Sequence, residues 1–64
     1  MFRYIRFIGN EAIEMGNVSD EVCRAIIATA LFMGGEEDWD FHTGAKIVRD
    51  GQNRNEIIRL VPIR

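Results

Sequence analysis

The stretch SDEVCRAIIATALFMGG (residues 19–35) decides the fold, because it carries the start, the body and the end of one helix. Ser19 is a good N-cap, since its hydroxyl can accept a hydrogen bond from an otherwise unpaired backbone N–H. Asp20 and Glu21 follow in the first turn, where the helix dipole favours negative charge. Gly34-Gly35 is a strong stop signal. The stretch therefore predicts a helix from residue 20 to residue 33.

One face of this predicted helix is apolar. Successive side chains of a helix are rotated by about 100°, so residues three and four apart share a face. The opposite face is polar at its start and apolar at its end, where Leu31 and Phe32 lie. Six side chains form the expected core stripe: Val22, Cys23, Ile26, Ile27, Ala30 and Met33.

The residues before the helix predict a hairpin. Phe2–Ile8 (FRYIRFI) is rich in aromatic and β-branched residues, which suit a pleated, half-buried surface. Gly9-Asn10 is a two-residue turn signal, with the glycine placed for the positive φ of a type II′ turn. Residues 11–15 predict a short second strand, which Gly16-Asn17 ends.

The residues after the helix predict a second hairpin. Residues 36–44 (EEDWDFHTG) indicate a loop or the irregular start of a strand, and residues 45–49 predict a third strand. Residues 50–53 (DGQN) form a turn cluster. Residues 55–63 are rich in Ile, Leu and Val and predict a fourth strand. Pro62 marks where the pairing of this strand stops, because proline has no N–H to donate.

This order predicts an α+β fold in which a single helix packs on a small, mostly antiparallel sheet. The arrangement is ββαββ (β-grasp-like), or βαββ if the weak second strand is lost. With a right-handed crossover, the first and last strands lie side by side at the sheet centre, where the most apolar strands belong. The predicted first and last strands are the most apolar. The topology resembles that of small immunoglobulin-binding bacterial domains, and this resemblance implies the fold alone.

Size, charge and cysteine usage restrict the protein class. A chain of 64 residues is expected to form a single domain over residues 1–64. Cys23 is the only cysteine, which excludes an intrachain disulfide framework and favours the cytoplasm. The net charge of -2 gives no reason to expect nucleic acid or an anionic membrane as partner. No apolar run reaches the roughly 18 residues that a membrane span needs.

The predicted strands are apolar on both sides. In the first strand, Ile5 and Phe7 lie on one side, whereas Phe2, Tyr4 and Ile8 lie on the other. One helix covers only one face, so a monomer would expose a contiguous apolar patch, and such patches usually mark association sites. We therefore expect a homodimer or an obligate protein partner.

Residues suited to chemistry are few. Asp38, Asp40 and His42 are spaced two apart, so in an extended strand they would point the same way and could bind a metal. No second His or Cys group completes such a site. Cys23 and His42 could form a thiolate–imidazolium pair, although no glycine-rich nucleophile turn accompanies them. We predict no enzyme, metal or cofactor, and keep as an alternative a metal-binding or catalytic protein centred on Asp38, Asp40 and His42.

The most distinctive segment surrounds the single tryptophan with acids. Tryptophan is enriched among interface hot spots, and acidic clusters steer association with basic surfaces. Alternatively, the aromatic residues cap the core while the acids are solvated. We expect a non-enzymatic interaction module that binds a basic surface on a protein partner, an inhibitor or adaptor of the kind that phages and mobile elements encode. The predicted binding residues are Leu31, Phe32, Glu36, Glu37, Asp38, Trp39, Asp40 and Phe41.

A second surface is expected on the sheet. If Ile5, Phe7, Ile58 and Leu60 face the helix, aromatic and arginine side chains share the outer face and could bind nucleic acid. The negative net charge counts against nucleic acid, which is the less favoured partner. Alternatively, this face meets the acidic segment of a second copy in a symmetric dimer. The residues predicted for the outer face are Tyr4, Arg6, Ile57, Arg59, Val61 and Ile63.

Overall fold

The helix forms where the sequence predicts it. In the computed structural model, which describes residues 1–52 and 55–63, α1 spans Asp20–Phe32. The hydroxyl of Ser19 accepts a hydrogen bond from the Val22 N–H at 3.2 Å, which confirms the predicted cap. Gly34 takes a φ of +83°, in the left-handed region that favours glycine, and the Gly35 N–H donates to the Ala30 carbonyl at 2.8 Å. The helix therefore ends on the glycine pair.

Five strands form one antiparallel sheet, so the predicted α+β class is confirmed. The strands are β1 (Phe2–Ile8), β2 (Glu11–Val18), β3 (Glu36–Trp39), β4 (Lys46–Arg49) and β5 (Glu56–Pro62). Their order across the sheet is β2-β1-β5-β4-β3, and every neighbouring pair is antiparallel. The first and last strands are neighbours at the centre, as the sequence predicts.

The predicted order of elements along the chain is wrong, because the structure has one more strand after the helix. The element order is ββαβββ rather than ββαββ or βαββ, because residues 36–39, predicted as a loop or an irregular strand start, form a separate strand that pairs with β4. One additional strand reverses the direction in which the chain returns to the sheet centre. β5 therefore runs antiparallel to β1, whereas a right-handed crossover would make the two central strands parallel.

The first hairpin is longer than expected. Gly9 has a φ of +60°, as the turn prediction requires, but β2 continues through Gly16 and Asn17 to Val18. Gly16 pairs with Tyr4, and Asn17 pairs with Arg3. The pairing along β1 keeps the backbone extended where the local sequence indicates a turn. At the second predicted hairpin, residue 53 of the turn predicted over residues 50–53 lies outside the described residues, and the strand predicted over residues 55–63 is observed as β5.

The core lies between α1 and the central strands. Cys23, Val48 and Leu60 are at most 1% exposed and contact one another. Ala45 is also fully buried. Val22 and Met33, at the edge of the predicted helical stripe, are exposed instead, because the sheet covers only the middle of the stripe. The half-buried residues packed on this core are Phe2, Tyr4, Val18, Ile26, Ile27, Ala30 and Ile58.

Candidate partner-binding surfaces

The acidic segment lies at one edge of the sheet. Among the described residues, β3 is the outermost strand and pairs only with β4, so its other side offers backbone N–H and C=O groups that no described strand pairs with. We call residues 36–41 the β3 edge. It contains six of the eight residues predicted for partner binding, which the structure therefore brings together.

The register divides these side chains between the two sheet faces. Trp39 pairs with Lys46, and Lys46 pairs with the buried Leu60, so Trp39 lies on the helix side, as does Glu37. Glu36 and Asp38 alternate with them and lie on the opposite side. A partner at this edge would meet carboxylates both above and below the sheet.

The two aromatic side chains of the β3 edge stack on each other in solvent. The ring centroids of Trp39 and Phe41 are 5.4 Å apart, with an angle of 21° between the ring planes. Trp39 is 61% exposed and Phe41 is 84% exposed. Lys46 Nζ lies 6.0 Å from the Trp39 ring centroid and donates a hydrogen bond to Glu37 Oε2 at 3.1 Å. The aromatic pair does not cap the core, which was the alternative interpretation of this segment.

Asp40 organises the turn that carries Phe41. Its carboxylate accepts hydrogen bonds from the His42 backbone N–H at 2.9 Å and from Thr43 Oγ1 at 3.0 Å. Its own backbone N–H donates to the Ala45 carbonyl at 2.9 Å. The hydrogen bond from the His42 N–H, followed by that from Thr43, lowers the pKa of Asp40. Asp40 therefore positions the turn.

The structure does not assemble the alternative chemical sites. Across residues 1–52 and 55–63, no group of three His, Cys, Asp or Glu side chains is arranged to hold a metal, so Asp38, Asp40 and His42 form no such group. Cys23 is enclosed in the core, where burial raises the pKa of its thiol. His42 is exposed in the turn after Asp40. Cys23 thus lacks the accessible thiolate that a nucleophile requires.

The helical part of the predicted surface does not lie on the sheet with the β3 edge. Phe32 is 89% exposed and follows Cys23 by nine residues, or two and a half helical turns. It therefore lies on the opposite side of the helix from Cys23, directed away from the sheet. Leu31 is exposed on the flank of the helix.

The second predicted surface is split between the two faces. Tyr4 and Arg6 pair with Leu60 and Ile58 and lie on the helix side. Ile57, Arg59 and Val61 alternate with those partners and lie on the other side. The prediction assigned the wrong face of β1 to the core, because β1 is apolar on both sides.

Tyr4 and Arg6 are engaged within the chain. The Tyr4 hydroxyl donates to Glu14 Oε1 at 2.9 Å, and burial followed by this bond raises the pKa of Tyr4. Arg6 forms an ion pair with Glu56, and the hydrogen bond from Arg6 to that carboxylate raises the pKa of the guanidinium. These side chains stabilise the pairing of β1 with its neighbours.

The side of the sheet opposite α1 is uncovered by any element in the described ranges. We call it the open face. The sequence prediction missed Ile5, Phe7 and Ile47 on it, although the two-sided apolar pattern of β1 was the available signal. Its central residues are Arg3, Ile5 and Phe7 of β1, Ile47 and Arg49 of β4, and Ile57, Arg59 and Val61 of β5.

A groove also runs beside the helix. It encloses about 370 Å³ between the exposed flank of α1 and the adjacent ends of β4 and β5, and Asp50 and Glu56 are among its lining residues. Val22 and Met33, which the sequence places in the core, line it instead. No local sequence signal indicates this groove, because it depends on how the helix crosses the sheet.

Comparison with protein-family models, with curated proteins and with solved structures gives no match for this chain. In the part of the chain that is described, no helix is long and apolar enough to cross a membrane. Functional inference therefore rests on the surfaces themselves.

Proposed function

We propose that this protein is a non-enzymatic interaction module that binds a basic, extended segment of a partner protein along the β3 edge. The observation that carries this proposal is the solvent-exposed Trp39–Phe41 stack, placed beside an unpaired strand edge and among carboxylates. An inhibitor or adaptor acting in the cytoplasm is the form of function that we propose.

The free edge of β3 supplies the backbone part of the recognition. An extended peptide can add to a sheet edge, where main-chain hydrogen bonds give affinity and alternate side chains give specificity. Glu36 and Asp38 on one face and Glu37 on the other would meet successive side chains of the added strand. Basic residues on the face of that strand that meets Glu36 and Asp38 would therefore be favoured most, because Glu37 is already paired with Lys46.

The acids also account for the edge remaining unpaired in the free protein. A second copy of β3 added to this edge would bring like charges together, because Glu36, Glu37 and Asp38 are consecutive. Charged residues on edge strands commonly prevent such edge-to-edge association. The same charges accelerate the approach of a basic partner.

The aromatic stack supplies the apolar part of the recognition. A partner strand along β3 would reach Trp39 and Phe41 at the end of the strand. Aromatic side chains in interfaces combine a large contact area with few rotatable bonds. Lys46, held by Glu37 at 3.1 Å, leaves most of the Trp39 ring accessible.

Nucleic acid is the less supported partner. The prediction required Tyr4 and Arg6 beside Arg59, but Tyr4 and Arg6 lie on the helix side and are bonded to Glu14 and Glu56. The stacking tyrosine is therefore missing from the face that carries Arg59.

Trp39 is the single tryptophan, so its fluorescence reports directly on the β3 edge. We would titrate the protein with an eight-residue peptide of alternating lysine and threonine. We expect a saturable change in emission that is lost with an alternating glutamate and threonine peptide. A lysine–threonine peptide with alternate amide nitrogens methylated keeps its charge but cannot complete the ladder, and it should bind at least tenfold more weakly.

A charge-reversal pair provides the matched protein control. Glu36 and Glu11 are both exposed and are the first residues of the two edge strands. Glu36→Lys should weaken binding, whereas Glu11→Lys should leave it within a factor of two. Equal affinity for the methylated peptide, or equal effects of the two variants, would contradict strand addition at β3.

A further inference from the structure

The open face carries one row of side chains in which opposite charges flank an apolar residue. Arg59 of β5 pairs with Ile47 of β4, and Ile47 pairs with Asp38 of β3. On the other side of Arg59, Ile5 of β1 continues the row. The three side chains Arg59, Ile47 and Asp38 therefore lie side by side, across three neighbouring strands.

One polar atom of Arg59 is buried and has no hydrogen-bond partner among the described residues. Its Nε is inaccessible and forms no hydrogen bond with any described residue. Asp38 is two strands away, which separates the Cα atoms by about 10 Å, with Ile47 between them. The ion pairs found among the described residues do not include Arg59 or Asp38.

We propose that a second copy of this chain binds the open face through a two-fold axis that runs parallel to the strands above β4. This axis places β5 of each copy over β3 of the other. Arg59 then faces Asp38 of the second copy, the reciprocal pair forms as well, and Ile47 packs on Ile47 at the axis. The surface is self-complementary, as a two-fold interface requires.

Charge decides between this axis and its main alternative. An axis above the central strand β5 would overlap the two sheets more fully, but it would bring Arg59 against Arg59 of the other copy. Like charges in direct apposition are unfavourable at an interface. The axis above β4 places Arg59 of each copy opposite Asp38 of the other and so forms two opposite-charge pairs, which makes it the favoured axis.

The area of overlap sets the expected strength. β3 and β4 have four residues each and are about 13 Å long, so three strands at a spacing of about 4.8 Å give roughly 190 Å² of flat contact per copy. A standard specific interface covers about 800 Å² per partner. The dimer should therefore be weak, in the micromolar range, and should weaken further as salt rises. The inference shares the Asp38 side chain with the β3 edge, but its test measures self-association without any peptide and does not depend on the proposed function.

Sedimentation velocity on charge-reversed variants tests the proposal. Wild-type protein should dimerise at high micromolar concentration in low salt. Arg59→Glu alone and Asp38→Arg alone should each be at least tenfold weaker dimers, because each places like charges opposite each other twice. An equimolar mixture of the two variants should regain wild-type affinity, since the mixed dimer restores both pairs. The regained association also shows that both variants are folded.

Matched controls make each outcome decisive. Arg24→Glu reverses an exposed arginine on the helix and should leave the dimer unchanged. The proposal is overturned if wild type stays monomeric at several hundred micromolar, or if the mixture associates no better than the single variants. It is also overturned if a single-stranded oligouridine binds the open face while the copies do not associate, because the occupant is then nucleic acid.

Discussion

The effects of Leu60→Ala and Val61→Ala on stability distinguish the core face of β5 from its open face. Leu60 is 0% exposed and packs with Cys23 and Val48, whereas the next residue, Val61, lies on the open face with no element above it. A Leu→Ala change in a core removes favourable burial and leaves a cavity, at a cost of about 2–5 kcal/mol. Val61→Ala removes two methyl groups that are half-buried, at about 0.8 kcal/mol per fully buried group, so it should cost about 1 kcal/mol.

These magnitudes are large for a chain of this size. At about 0.05–0.15 kcal/mol per residue, 64 residues give a total stability of about 3–10 kcal/mol. Taking about 3 kcal/mol for Leu60→Ala and a urea slope of about 1 kcal/mol per molar, the midpoint should fall by about 3 M, against about 1 M for Val61→Ala. Circular dichroism at a few micromolar protein measures both. Equal losses for the two variants would refute the assignment of the two faces.

Three further predictions concern backbone strain, pH and thiol reactivity. Gly34→Ala should destabilise the fold by about 1 kcal/mol, because φ is +83° at this position. Gly16→Ala is the control and should change the urea midpoint little, because no atom lies within 4 Å of the added Cβ. Asp40→Asn should lower the thermal midpoint near neutral pH and have little effect near pH 2. The pKa of Asp40 is lowered in the fold, so its stabilising contribution is present above about pH 4 and is lost as the pH falls through the folded pKa. Cys23 should react with an aromatic disulfide reagent only as fast as the protein unfolds, because its side chain is 1% exposed and the reagent cannot reach it in the folded protein. Fast labelling of the native protein would contradict its place in the core.

The helix and the first turn could be predicted because their signals are local. Ser19 provides a cap, the glycine pair provides a stop, and Gly9 provides the positive φ of the turn. Each of these effects depends on residues within a few positions, so no knowledge of the tertiary structure is needed. The same holds for the central place of β1 and β5, which follows from their apolar composition.

The missed features depend on pairing between distant residues. β3 consists of Glu36, Glu37, Asp38 and Trp39, a run that is polar and weak as a strand, and it becomes one only because β4 supplies its hydrogen-bond partners. The choice of core face in β1 depends on its register with β5, where Tyr4 meets Leu60. A strand that is apolar on both sides gives no preference between the two faces.

Of the two alternatives predicted for the start of the acidic segment, a loop or an irregular strand start, the structure has a strand over Glu36–Trp39. Trp39 and Phe41 are exposed and adjacent, as a recognition surface requires, but their backbone belongs to a sheet edge and its turn. The strand adds a free backbone edge to the aromatic and acidic side chains that the sequence indicates, and strand addition becomes the proposed mode of binding. In this strand, Glu36 and Asp38 lie on one face of the sheet and Glu37 lies on the other.

Backbone amide mapping tests the central claim most directly. Isotope-labelled protein would be titrated with the lysine–threonine peptide, and the shift and solvent exchange of every amide followed. We predict that the largest shifts and the new exchange protection fall on alternate amides of residues 36–41, with the indole N–H of Trp39 also shifting. Shifts concentrated on the open face or in the groove beside Val22 and Met33, with the β3 amides unprotected, would contradict the account.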